Sequence, residues 1–169
     1  MKTLLILRHA KSKPKDPDIS DHDRELDERG KDDALRMGKL LREKGLVPDF
    51  IMSSTALRAR TTAEIVAEEC EYKGEGKIAL ERSLYDAKPQ DYMNILNRLP
   101  DRYDTVLLVG HNPTIEETVQ ALTDSLDSVV VIPTCAVAHL IIPIEKWSDL
   151  FKMNNTKHEI VLKEIIQPN

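Results

Sequence analysis

A histidine follows directly on an apolar run at two places in the chain. In LLILRHA (residues 4–10) the run ends in Arg8 and His9; in TVLLVGHNP (residues 105–113) it ends in Gly110 and His111. An imidazole among cations is a nucleophile suited to phosphorus, and a guanidinium is a planar fork of donors that matches phosphoryl oxygens. Arg58, in SSTALRA (residues 53–59), supplies a second fork. Arg8-His9 alone would read as the polar exit of a strand. A second histidine at a matching strand end, with a second arginine nearby, points instead to a shared anion-binding pocket.

These side chains need elements that bring them to one place. Residues 4–7 read as a buried strand and residues 10–25, rich in charge and carrying Pro14 and Pro17, as a long exposed loop. Ala34, Leu35, Met37, Leu40 and Leu41 recur at helical spacing between about Asp27 and Lys44, with Gly45 as the stop. DFIMSS (49–54) reads as a strand and residues 55–72 as a helix, so Arg58 falls in its first turn. After punctuation at Gly74 and Gly76, KIALE (77–81) reads as a strand, Pro89–Leu99 as a helix and TVLLVG as a further strand. Asn112 is suited to cap the next helix, Pro113 to its first turn, and Glu116 and Glu117 to the field at its N-terminus. AVAHLIIPI and HEIVLKEII complete the pattern as two strands around a short helix near Trp147. Strands alternating with helices predict an α/β fold, a three-layer αβα sandwich with a mostly parallel sheet. Such sheets bind ligands beyond the carboxyl ends of their strands, where Arg8, His9, His111 and the Ser53-Ser54 pair fall, with helix N-termini adding free N–H groups.

At 169 residues, 41% hydrophobic and 31% charged, the chain reads as one domain over residues 1–169. A net charge of −5 argues against nucleic acid as a partner. No apolar run reaches the roughly 18 residues of a membrane span, and the short run before Arg8 does not read as a secretory signal. Cys70 and Cys135, without CxxC spacing, fit a reduced, cytoplasmic protein.

The motifs LLILRHA, SSTALRARTTAEI (53–65) and VLLVGHNP (106–113), in this order, resemble the histidine phosphatase superfamily, also called the phosphoglycerate-mutase-like fold. The small size, DRELDERG (23–30) and LYDA (84–87) resemble its small branch, the phosphohistidine phosphatases of the SixA type. The likeness covers about residues 3–140. It implies that His9 is the residue phosphorylated, that His111 is the second histidine, that Arg8 and Arg58 hold the phosphoryl group, and that Ser12 adds a hydroxyl contact. It implies a metal-independent hydrolase without cofactor. Its partner would be a phosphohistidine-bearing protein of the phosphotransfer-domain type or a small phosphorylated molecule. Two positions depart from the pattern: Ala10 stands where Gly usually follows Arg-His, and Asn112 where an Asp often follows the second histidine. The proton donor is then sought in the middle segment, with Asp86 ahead of Glu81. A phosphatase of small phosphomonoesters and a non-catalytic phosphate-binding module remain the alternatives. The second reading has little use for two histidines, since binding alone needs only the arginines.

Other motifs carry less. DPDIS (16–20) mimics the D-x-D of aspartate-nucleophile phosphatases but follows a proline-bearing loop rather than a buried strand. A cysteine phosphatase needs Arg six residues after Cys, where this chain has Gly76 and Ile141. GEG (74–76) lacks a third glycine and reads as a turn. DHD (21–23) reads as a solvated loop rather than a metal site, and His139 as a hydrogen-bonded core or edge histidine. His158 shows no partner in the sequence. The basic run from Lys11 to Lys15 reads as a solvated loop with a possible role in steering toward an acidic partner.

Overall fold

The computed structural model describes residues 1–74, 77–124, 129–152 and 159–169; Gly76 and His158 lie outside them. Six strands, β1 (Lys2–Arg8), β2 (Phe50–Ser54), β3 (Ala79–Glu81), β4 (Thr105–Gly110), β5 (Val137–Ile142) and β6 (Val161–Ile166), form one sheet in the order β3-β2-β4-β1-β5-β6. The first four in that order run parallel, and β5 pairs antiparallel with both β1 and β6. The sheet is therefore mostly parallel, as the alternating pattern requires.

Its layers follow from the two-residue period of a strand. Leu4 and Ile6 of β1, with Val106 and Leu108 of β4, pack under α3 (Pro89–Asn97) and α4 (Thr114–Thr123), together with Trp147. Leu5 and Leu7, with Leu107 and Val109, pack under α1 (Glu28–Glu43) and α2 (Leu57–Glu69). Both faces of the central strands are buried, which is why their sequences are apolar without alternation. The Asp27 side chain caps α1 by accepting the Gly30 N–H at 2.7 Å, and Gly45, at φ +70°, ends it.

Register places the histidines. Arg8 pairs with Gly110 across β1 and β4, so His9 and His111 each stand one residue beyond a paired position on adjacent strands. The His9 N–H continues the ladder to the Gly110 carbonyl at 3.1 Å. Close packing on the other side demands glycine at 110: a Cβ there would lie 1.7 Å from the Tyr92 hydroxyl of α3.

Candidate active site

Several strand ends, the start of α2 and loops from distant parts of the chain converge where β1 and β4 end. The rings of His9 and His111 lie 5.2 Å apart, centroid to centroid, at 53°. His9 Nδ1 is 2.7 Å from the Ala10 carbonyl. A carbonyl only accepts, so Nδ1 carries the proton of the neutral ring and Nε2 keeps its lone pair. The Ala10 N–H donates to Thr62 Oγ1 at 3.0 Å, and that hydroxyl donates to the Arg58 carbonyl at 2.7 Å. The turn after the first histidine is thereby fastened to the helix that bears Arg58. Ala10 is fully buried and is not among the residues with positive φ, so this turn does not use the freedom of the glycine usual at this place. From the other side, the Cys135 N–H donates to the carbonyls of both Arg8 and His9, at 3.0 and 3.1 Å.

His111 Nε2 lies 2.7 Å from Ser54 Oγ, a fully buried hydroxyl that also accepts the Ala56 N–H at the start of α2. His111 Nδ1 is buried without a hydrogen-bond partner, as are the Nε atoms of Arg8 and Arg58. Unpaired buried donors cost free energy unless a ligand meets them, and in two guanidiniums those donors are cationic. Arg58, 6% exposed, spends its other nitrogens on Asp21: Nη1 on the main-chain carbonyl at 2.7 Å and Nη2 on the carboxylate at 3.0 Å. Arg8 donates through Nη1 to the Ile132 carbonyl, which also receives the Asn112 amide at 3.0 Å.

The electrostatics keep both histidines neutral. Burial pushes His9 down to about 4, against the pull of the Ala10 hydrogen bond and with help from Arg58, Arg8 and Arg24. Burial likewise pushes His111 down to about 3, aided by His9 and Arg58. Burial works to raise Asp21, but hydrogen bonds from Tyr85 and Arg24 and the charge of Arg58 overcome it and hold the carboxyl well below the usual range. Asp21 is a fixed anion, not a proton donor.

Arg8, His9, Arg58 and His111 thus come together as the sequence indicated. Ser12 joins them indirectly, its hydroxyl accepting from Arg24 Nη1. Asp86 is exposed and makes no hydrogen bond or ion pair among the described residues. Three expectations need correction. Asn112 does not cap α4: its amide is turned to Ile132, and α4 begins without a side-chain cap. DHD is not a solvated stretch: Asp21 binds Arg58, Arg24 and the Tyr85 hydroxyl. His22, beside it, bonds Thr55 Oγ1 at 2.8 Å and meets the Tyr85 ring edge-on at 4.8 Å. His139 is buried, yet its nearest ionic neighbour is Glu164 at 4.0 Å and its Nδ1 lacks a hydrogen bond. Sequence reasoning missed the roles of Asp21, Arg24, Thr62 and Tyr85; it placed Ser54 at this edge but not against His111. Arg24, Thr62 and Tyr85 lay inside DRELDERG, SSTALRARTTAEI and LYDA, but no role was read for them there.

A six-stranded α/β sandwich with two histidines and two arginines at the carboxyl edge of its parallel strands defines a phosphoryl-handling site. The chain belongs to the histidine phosphatase superfamily, branch 1, whose family model matches residues 4–130. Its structure matches those of two proteins provisionally designated phosphohistidine phosphatase SixA. One, from Agrobacterium tumefaciens, is 27% identical with a TM-score of 0.78 over 99% of this chain and 98% of that one. The other, from Nakamurella multipartitia, is 25% identical with a TM-score of 0.82 over 99% and 96%. An uncharacterised protein of Mycobacterium leprae is 37% identical over 70% of this chain and 72% of its own length. The chain is accordingly a phosphatase of the SixA-type branch. No helix among the described residues is long and apolar enough to cross a membrane.

Proposed function

We propose that the protein removes phosphate from phosphohistidine on another protein, through a phosphohistidine formed on His9. The observation that carries this reading is the state of His9: a neutral ring with Nδ1 tied to Ala10, facing His111 and held between two arginines that keep unpartnered donors. His9 Nε2 attacks phosphorus, the P–N bond to the substrate imidazole breaks, and that imidazole takes up a proton as it leaves. Water then attacks the phosphorus on His9 and releases inorganic phosphate, returning the ring to neutral. Arg8, Arg58 and His111 stabilise the charge on the transferring oxygens, the largest contribution to catalysis of this kind. The mechanism uses guanidiniums where other phosphatases use metal ions, so EDTA leaves turnover unchanged; loss of activity with rescue by a divalent ion would overturn it.

The proton inventory favours phosphohistidine over alkyl esters. Asn112 cannot donate as an acid, and Asp86 stands exposed without a partner. A departing imidazole, whose conjugate acid has a pKa of about 6.5, takes its proton from solvent near neutral pH. An alkoxide cannot, and without a positioned acid it loses about 10²–10⁴-fold in rate. The test is kcat/KM for a phosphorylated phosphotransfer domain, an aryl phosphate and an alkyl phosphate, on the wild type and Asp86→Asn. The expected order is phosphohistidine, aryl, alkyl, with phosphohistidine unchanged in the variant. An alkyl ester turned over as fast as phosphohistidine, and slowed in Asp86→Asn, would identify a phosphatase of small phosphomonoesters with Asp86 as its acid.

A further inference from the structure

Asp21 anchors Arg58 by direct contact, its carboxylate 3.0 Å from Nη2. Arg8 is anchored by a carbonyl instead. Among the described residues its side chain makes one hydrogen bond, from Nη1 to Ile132 at 3.2 Å, and its Nε is left buried without a partner. The aim of this guanidinium therefore depends on what holds Ile132. The Ile132 side chain is fully buried, and its carbonyl also accepts the Asn112 amide on a second lone pair. Its N–H donates to Glu116 Oε2 at 2.7 Å. Glu116 stands in the first turn of α4, and its carboxylate reaches out of the helix to this segment. A hydrogen bond to an ionised acceptor is about twice as strong as one between neutral groups. Glu116 also acts on Arg8 as a charge: burial works to lower the guanidinium pKa, and this carboxylate opposes it. Ile132 opens a short strap that holds the main chain of the same dipeptide. The Arg8 N–H donates to the Ala136 carbonyl at 3.1 Å, and the Cys135 N–H reaches the carbonyls of Arg8 and His9. Cys135 stands at φ +58°, a left-handed conformation uncommon outside glycine, and such strain persists where surrounding contacts over-determine it.

An acid in the first turn of a helix ordinarily serves the field at that end. Here its oxygen is spent on the residue that holds a phosphoryl ligand. We propose that Glu116 is the positioning residue for Arg8: its carboxylate fixes Ile132, and the Ile132 carbonyl holds the guanidinium toward the transferring phosphoryl oxygens. The inference rests on the reading of Arg8 as a phosphoryl ligand and adds the group that sets its aim. Each arginine of the site then has its own acid, Asp21 by contact and Glu116 through Ile132.

The experiment measures inhibition by inorganic phosphate, and kcat/KM for an aryl phosphate, in wild type and three variants. Neither probe carries a histidine, so failure here is separate from failure of the phosphohistidine reading. Glu116→Gln keeps an oxygen for the Ile132 N–H. Glu116→Asp keeps the charge in the first turn of α4 but is one methylene shorter, and Glu116→Leu keeps neither. Phosphate affinity and kcat/KM should both fall about tenfold in Glu116→Asp and Glu116→Leu, less than the roughly hundredfold that a full 1 Å misplacement can cost. Both should stay within about threefold of wild type in Glu116→Gln, which retains a neutral acceptor. A merely structural acid predicts the reverse order, since Asp serves the helix N-terminus as well as Glu and Gln does not. In an Arg8→Ala background the Glu116→Asp loss of phosphate affinity should vanish to within about twofold, because the group being positioned is gone. Wild-type phosphate affinity in Glu116→Leu, or in Glu116→Asp if the leucine variant does not fold, would overturn the proposal. So would the reverse order, which would assign Glu116 to the field at the start of α4. An undiminished loss on top of Arg8→Ala would overturn it too, by placing the action of Glu116 elsewhere.

Discussion

The two halves of the reaction centre are built differently. Arg8, His9 and His111 stand at the ends of β1 and β4, central strands buried on both faces and locked in register. Asp21, His22 and Arg24 stand on a largely exposed loop, held in place by hydrogen bonds among themselves and to Arg58, Thr55 and Tyr85. Packing fixes the first group; ionic and hydrogen-bond complementarity fixes the second. A strand end places a nucleophile without depending on its charge state, because the backbone carries it there. Part of the loop's anchorage, through Arg58 Nη2, Arg24 and Tyr85, converges on the one carboxylate of Asp21. On the proposed function the strand half carries the reaction, and the loop half orients Arg58 through Asp21.

Substitutions at the two halves should separate these roles. The largest effect is expected at the strand ends: His9→Ala should lower turnover by at least about 10³-fold, the scale seen when a nucleophile is removed. The wild type, but not the variant, should acquire an acid-labile phosphate label during turnover. Label retained without His9 would place the nucleophile elsewhere. The loop half should respond more mildly. Asp21→Asn keeps the shape but removes the charge shared by Arg58 and Arg24, and kcat/KM should fall by about tenfold, less than loss of a transition-state donor itself. Breaking the Arg58 pair should also destabilise the fold by about 1–2 kcal/mol, reduced from the buried-pair range because Asp21 is partly solvent-exposed. Parallel urea melts and rate measurements test both numbers. A loss as large as that of His9→Ala would erase the distinction between the halves.

The last comparison is read in pH rather than in rate. Unfolded histidine titrates near 6.5, whereas His9 and His111 in the fold are pushed down to about 4 and about 3. Below pH 6.5 the unfolded chain binds protons that the native site refuses. Stability present above 6.5 is thus lost as pH falls toward 4, and the slope levels as the native rings begin to protonate. Denaturant melts at pH 7, 5.5 and 4.5 should show a steeper loss for the wild type than for the His9→Ala/His111→Ala double variant. Equal slopes would mean that the strand-end histidines are not held neutral by the fold.

The same division explains what the sequence disclosed. Continuous apolar runs in β1 and β4 made the buried strands plain, and a residue just past such a run has few places to go; Arg8, His9 and His111 were legible for that reason. Arg58 was legible because the helix after Ser54, read from residue 55 and beginning at Leu57, keeps Arg58 in its first turn either way. The loop partners were not. Asp21 and His22 lie in a stretch whose composition is that of solvated surface, and their contacts depend on Tyr85, Arg58 and Thr55 arriving from distant parts of the chain. Ser54 was legible at the sheet edge but its bond to His111 was not, and Thr62 was not legible at all, since a hydroxyl in a helix or strand declares no partner. Asn112 misled for a related reason: its type suits an N-cap, but the Ile132 carbonyl, from a remote segment, takes its amide.

The pairing of Leu4 with Val106 and of Arg8 with Gly110 also bears on how the site comes into being. These contacts join residues about a hundred positions apart, and closing so long a loop is among the slower events of folding. Until β4 docks beside β1, His9 has no facing histidine and neither arginine its final place, however well the helices have formed. During synthesis the chain therefore carries its nucleophile for most of its length as an ordinary imidazole. Recovery of activity in a refolding reaction should trail recovery of helix, which makes turnover a sensitive clock for completion of the sheet.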